Sequence, residues 1–194
     1  GILGEKTILG HCIHITKGEM GIIRETGSMV VNNPQSNMGN AVGCAPVLAL
    51  FREGVLVGLG TDAYTNDMLE SLKTALAIQR HNAALPNVGW SEATGMLFCN
   101  NPKIVQRVLG VEVGVLKPGA AADIIVMDYK PFTPFNADNA DGHILFGMTG
   151  RQCDTTMING ELRMLHRELT NVDEERLNAR ILEGAQALWR GVNA

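Results

Sequence analysis

Three side chains in this sequence have the types and settings that chemistry requires: His11, His14 and Asp62. Asp62 follows Gly60-Thr61, and the apolar run Val55-Leu56-Val57 leads into that segment. A carboxylate at such a strand end can bind a hard or borderline cation and take a proton from the water that the cation activates. The simpler use of an aspartate there is to cap the helix that follows. His11 and His14 stand at i, i+3 after Thr7-Ile8-Leu9-Gly10. On a chain that starts as a strand they need not point the same way, so a zinc pair and two ordinary turn or core histidines are both open readings. A polar cluster, Asn32-Asn33-Pro34-Gln35-Ser36-Asn37, sits between apolar runs. Its residues favour turns, while side-chain amides at the rim of an α/β fold can also hydrogen-bond a heterocyclic or amide substrate.

The elements that must position these groups read as α/β. Thr16-x-x-Glu19 has the form of a capping box, so a helix is expected from Lys17 to a stop at Gly27. Met29-Val30-Val31 is a short buried strand, and Asn32-Asn33-Pro34 should continue as neither strand nor helix. A helix over Ala45–Arg52 and a strand over Val55–Leu59 complete β-α-β-α-β, the signature of a parallel sheet with right-handed crossovers. In such folds chemistry gathers at the C-terminal ends of the strands. Helical periodicity runs from Asp67 to about His81; Ser91 is expected to cap a helix through Phe98, and Asn101-Pro102 to open another that ends at Gly110. Beyond 110 the segments are short: a strand over Asp123–Asp128, a loop over Pro131–Asp141, and a hairpin turning at Asn159-Gly160. About Asp173 to Arg190 is an amphipathic helix. The expected organisation is a first domain over 1–110, small β units over 111–168, and a C-terminal helix within 169–194.

Composition narrows the function classes. Of 194 residues, 45% are hydrophobic and 19% charged, enough apolar surface for a core and too little charge for a disordered chain. A formal net charge of -4 without a basic block argues against nucleic acid or an anionic membrane surface as the partner. No apolar run approaches the roughly 20 residues of a membrane span, and no secretory signal opens the chain. Cys12, Cys44, Cys99 and Cys153 are scattered without a C-x-x-C pair, which suits free, buried thiols in a reducing cytoplasm. Neither G-x-x-x-x-G-K nor G-x-G-x-x-G occurs, so a phosphate-binding domain is disfavoured. The abrupt start, without an initiating methionine, is read as that of a fragment.

Taken in order, Gly10-His11-Cys12-Ile13-His14, Asn33-Pro34-Gln35-Ser36-Asn37 and Gly60-Thr61-Asp62 with Asn66 resemble the last three barrel strands of the amidohydrolase superfamily. The similarity is to its cytosine/guanine deaminase and triazine hydrolase branch, SsnA-type aminohydrolases and chlorohydrolases in particular. Lys117-Pro118-Gly119-Ala120-Ala121-Ala122-Asp123-Ile124-Ile125-Val126 resembles that family's return into a composite β-sandwich, and Ile158-Asn159-Gly160 its late hairpin. The resemblance implies about three βα units of a (β/α)8 barrel, then sandwich strands and a C-terminal helix. It implies that Asp62 ligates one divalent metal, zinc ahead of iron, and shuttles a proton. His11 would hydrogen-bond the nucleophilic water and polarise the substrate, while Asn37 and Asn66 would shape the substrate pocket; His14 carries no implied role.

The family also uses an H-x-H pair and a further histidine and glutamate that do not occur here, and a whole barrel takes roughly 250 residues. The expectation is therefore a C-terminal part of a longer cytoplasmic hydrolase acting on ring C–N or C–Cl bonds of a small molecule, incomplete and inactive alone. It would pair with an N-terminal half or form a homo-oligomer. The rival from another class is a catalytically silent assembly module that self-associates through open strand edges.

Overall fold

A computed structural model describes residues 1–192; the last two positions of the expected 169–194 helix lie outside the described residues. The chain forms two compact units, one of residues 1–121 with 129–152, the other of residues 122–128 and 153 onward. The sequence after 110 is thus shared between them.

The first unit is built on three parallel strands, β1 (Ile8–Gly10), β2 (Met29–Asn32) and β3 (Leu56–Leu59), in that spatial order. Gly10 pairs with Val31 and Asn32 with Leu59, so the three strands end level with one another. Helix α1 (Lys17–Glu25) connects the first two strands and begins in the expected capping box: Thr16 Oγ1 accepts from Glu19 N–H at 3.3 Å, and Glu19 accepts from Thr16 N–H at 2.7 Å. Asn33-Pro34 does not open a loop as expected. Pro34, which needs no hydrogen-bond acceptor for an N–H it lacks, starts the short helix α2 (Pro34–Gly39) directly after β2. Helix α3 (Val47–Arg52) starts after Pro46 and leads to β3.

Helix α4 (Met68–Ala83) follows β3, and its cap is Asp67, whose Oδ1 accepts from Leu69 and Glu70 N–H. The next expected cap is not used. Helix α5 (Trp90–Gly95) takes Gly89 at its cap position with a φ of 82°, while the Ser91 hydroxyl turns to Glu92. Nor do two separate helices follow: α5 runs through one π-helical turn, Met96–Asn100, into α6 (Asn101–Leu109). Pro102 supplies the reason. It has no N–H to return to the carbonyl four residues earlier, so the preceding turn widens and Asn101 N–H reaches back to Met96.

The core lies between the sheet and α1, α3, α4 and α5, where Val30, Val57, Leu50, Leu72 and Met96 are fully buried. The expected loop over Pro131–Asp141 runs through Asn139, and its last two positions open helix α7 (Ala140–Phe146), which contributes Leu145 to the same core.

The second unit is a four-stranded antiparallel sheet, β4 (Ile124–Met127), β5 (Cys153–Ile158), β6 (Glu161–Leu165) and β7 (Glu168–Leu169), with helix α8 (Glu174–Val192) after it. Asn159 and Gly160 both have positive φ, 50° and 80°, as the expected tight turn requires. No helix among the described residues is long and apolar enough to cross a membrane. All four thiols are free; Cys99 is exposed, against expectation, and the others are half-buried.

Two predictions follow from these local structures. Asp67→Ala removes a two-bond cap together with the acceptor for Gly150 N–H at 2.8 Å, and should lower stability by about 1–2 kcal/mol. Ser91→Ala should stay within about 0.5 kcal/mol of the parent. Urea denaturation of the two variants checks the assignment of caps. Burial raises the thiol pKa of Cys12, and that of Cys44 despite an opposing hydrogen bond from Gln79. Iodoacetamide at neutral pH should therefore alkylate Cys99 well before Cys12 and Cys44, which peptide mass mapping would read.

Candidate functional site

Two strand ends carry the residues singled out by type. The last ladder bonds of the sheet run from His11 N–H to Val31 O and from Gly60 N–H to Asn32 O, both 2.9 Å. Immediately beyond, the chain adopts left-handed backbone at His11 (φ 64°) and Cys12 (47°), and again at Asp62 (51°) and Ala63 (54°). Left-handed conformation in non-glycine residues stores strain of order 1–3 kcal/mol each and persists only where the surroundings impose it. The same backbone device at both strand ends turns the two side chains toward each other.

His11 Nε2 lies 3.5 Å from Asp62 Oδ2, with the two side chains 39% and 48% exposed. The pair is thus reachable by a small molecule. Helix α2 supplies the remaining contacts from consecutive residues. Ser36 Oγ donates to Asp62 Oδ2 at 2.7 Å, and Asn37 Oδ1 lies 2.7 Å from His11 Nδ1. Asn40 Nδ2 in turn donates to the Ser36 carbonyl at 3.0 Å. Gly60 is needed beside this cluster, because a β-carbon there would collide with Asn33 Oδ1 and come within 2.8 Å of Val31.

The structure thus brings His11, Asp62 and Asn37 together, although Asn37 does so in an unexpected way. Anticipated as an amide presented to substrate, it is 2% exposed and turned to His11. Asn66 stays on the exposed loop before α4 and takes no part in this hydrogen-bond cluster. His14 is exposed and takes no part in this hydrogen-bond cluster. Asp62 is not the cap of α4, which removes the simpler reading of that residue. Ser36 was passed over in the sequence as a turn former, because the helix that carries it beside Asn37 was not expected there.

Chemically, Asp62 Oδ1 accepts no hydrogen bond from the described residues and is free to meet a cation or a proton, while His11 Nε2 lies 3.5 Å from the other carboxylate oxygen. These two donors do not close a metal site: among the described residues no group of three or more His, Cys, Asp or Glu could hold an ion. Among the described residues, three buried polar atoms on the β2–α2 segment, Asn32 Nδ2, Gln35 Oε1 and Asn37 Nδ2, have no hydrogen-bond partner. Each such atom costs about 1–3 kcal/mol where no water or ligand meets it.

Comparison with known proteins places the chain in a family. The model of the amidohydrolase family matches residues 1–163. A 5-methylthioadenosine/S-adenosylhomocysteine deaminase of Carboxydothermus hydrogenoformans is 35% identical over 182 residues, covering 91% of this chain and 41% of that protein. A 5'-deoxyadenosine deaminase of Methanothermobacter thermautotrophicus is 32% identical over 201 residues, covering 98% and 45%. This chain therefore spans less than half the length of these curated relatives. Among solved structures, a zinc-bound adenosine deaminase from Xanthomonas campestris superposes with a TM-score of 0.83 at 24% identity, over 97% of this chain and 44% of that one. The zinc complex of the atrazine chlorohydrolase from Arthrobacter aurescens gives 0.71 at 21% identity, over 91% and 40%. At these identities the structural likeness is one of fold, whereas the family match runs from the first strand to the β5–β6 hairpin, and by it the chain belongs to the amidohydrolase family.

Proposed function

We propose that this chain supplies the closing βα units of a (β/α)8 barrel in a metal-dependent aminohydrolase, and that His11 and Asp62 are its catalytic pair. The observation that carries the reading is the convergence of an imidazole and a carboxylate, from separate strands, to 3.5 Å at level strand ends. Names of relatives point to the substrate class: amino-bearing purine nucleosides and their 5'-modified forms.

The residues present fit one edge of a metal site. Asp62 would ligate a divalent ion, zinc by analogy with the zinc-bound neighbours, through the oxygen that Ser36 leaves free. Further ligands would come from outside this sequence, in keeping with the share of the relatives that it spans. When bound, such an ion lowers the pKa of a water toward about 7 and makes a nucleophile at neutral pH. Asp62 would take a proton from the attacking water and return it to the departing amine. His11 holds the water and the substrate's ring in line.

The need for a returned proton separates the two leaving groups of this branch: ammonia requires it and chloride does not. A carboxylate half-exposed beside an imidazole is suited to carry that proton, which favours C–NH₂ over C–Cl. Asn66, exposed on the loop after β3, remains a candidate for contact with substrate. In the second unit, Ile125, Val126 and Ile158 stay 50–59% exposed on β4 and β5, which supports a composite sandwich with strands from outside the described residues. Four free thiols accord with a cytoplasmic enzyme.

A chimera tests the reading. This sequence replaces the matching C-terminal portion of the Carboxydothermus deaminase, and ammonia release from 5-methylthioadenosine and 5'-deoxyadenosine is followed with and without a chelator. Activity should depend on metal and fall roughly 10²–10⁴-fold in Asp62→Ala. A folded, zinc-loaded chimera whose rate is indifferent to that substitution contradicts the assignment.

A further inference from the structure

The buried amide of Asn37 has no role in the reading above, and its geometry supplies one. Among the described residues His11 makes a single short side-chain hydrogen bond, from Nδ1 to Asn37 Oδ1 at 2.7 Å. Its other ring nitrogen is 3.5 Å from Asp62 Oδ2, beyond the usual range for a hydrogen bond. Asp62 Oδ2 is already engaged by Ser36 Oγ at 2.7 Å. The carboxylate therefore does not set the imidazole's tautomer; the amide does. A carbonyl oxygen at Nδ1 requires the proton to sit on Nδ1, which leaves Nε2 with its lone pair toward the open side of the pair.

We propose that Asn37 is a positioning residue that locks His11 in the Nδ1–H tautomer, so that Nε2 serves as a hydrogen-bond acceptor beside Asp62. This rests on the reading of His11 and Asp62 as the reacting pair, and it deepens that reading to the level of atoms. A water between them then gives one hydrogen to Nε2 and the other to Asp62, and its oxygen lone pairs face away toward the electrophile. The imidazole accepts and orients; the carboxylate is the group that takes the proton. An Nε2–H imidazole would instead donate into the water's oxygen and compete for the lone pair that must attack.

Three features make Asn37 fit for this. It is 2% exposed, so water does not compete for its carbonyl. Its backbone is fixed inside α2, where its N–H donates to Asn33 O at 3.0 Å. It also meets, at 2.7 Å, the ring of a residue in left-handed backbone, His11 (φ 64°). The Nδ2 atom of the same amide is buried without a partner, a local penalty that is tolerated where the carbonyl is needed at His11.

The test is read on the 194-residue chain itself, with no metal and no turnover. Chains labelled with ¹⁵N-histidine are recorded by long-range ¹H–¹⁵N correlation at a pH where the ring is neutral, and His11→Gln identifies the His11 signals among the five histidines. The parent should show His11 as Nδ1–H, against the Nε2–H form that an unconstrained imidazole prefers. Asn37→Leu should return it to Nε2–H, and Asn37→Asp, which keeps an acceptor oxygen, should preserve Nδ1–H. An Nε2–H ring in the parent, or one unchanged by Asn37→Leu, overturns the proposal. Should the leucine variant not fold, the parent and aspartate spectra decide alone. Because the readout needs neither metal nor substrate, its failure would leave the hydrolase reading standing, and a chimera without activity would leave the tautomer result intact.

Discussion

The site depends on the register of three short parallel strands. Because Gly10 pairs with Val31 and Asn32 with Leu59, β1 and β3 end level on either side of β2. The two terminal ladder bonds, at His11 and Gly60, are the last points at which the backbone is held by the sheet. A slip of one residue would turn every side chain to the opposite face and part His11 from Asp62. The left-handed residues after each strand end are strained, and the core beneath them, centred on Val30, Val57 and Leu72, is what keeps the register from relaxing.

The far edge of the sheet is managed by side chains. An open strand edge exposes N–H and C=O groups that invite pairing with another chain. On β3, Leu59 N–H and C=O are both met by the side-chain amide of Asn101 at 2.9 Å, and Val57 C=O by Asn100 at 2.8 Å. The amide of Asn101 thus imitates one unit of a neighbouring strand. The widened turn forced by Pro102 ends at Asn100, and the two asparagines that meet the strand lie at that junction. Gly58 is required opposite, since a β-carbon there would collide with Asn101 and Ile104. A helix irregularity, a glycine and two amides together hold β3, and through it Asp62, in place.

How much of this was legible in the sequence varied with the range of the interactions. The capping box at Thr16, the strand at Met29–Asn32 and the Asn159-Gly160 turn are local, set by contacts within a few residues, and each formed where expected. Pro34 and Ser91 were misread because one residue type serves two ends: proline breaks a helix or starts one, and serine caps only if its backbone is extended there. Pro102 opens α6 as expected, and only the π turn that joins α6 to α5 was unforeseen. The convergence of His11 and Asp62 was foreshadowed by residue types and order. The roles of Ser36 and Asn37 were not, since they depend on how a six-residue helix faces two other strand ends, and the left-handed backbone at His11 and Asp62 has no local sequence signature at all. The second unit's helix was visible in its periodicity, while the π turn followed only from the structure.

The central claim is that an imidazole and a carboxylate on separate strands act as one unit. A kinetic double-mutant cycle of His11→Ala and Asp62→Ala in the chimeric deaminase measures this directly. Groups that act together are strongly non-additive, so the account predicts that the double variant is no slower than the worse of the two single variants. Two independent losses that multiply in the double variant would show that His11 and Asp62 do not share a step, and would contradict it.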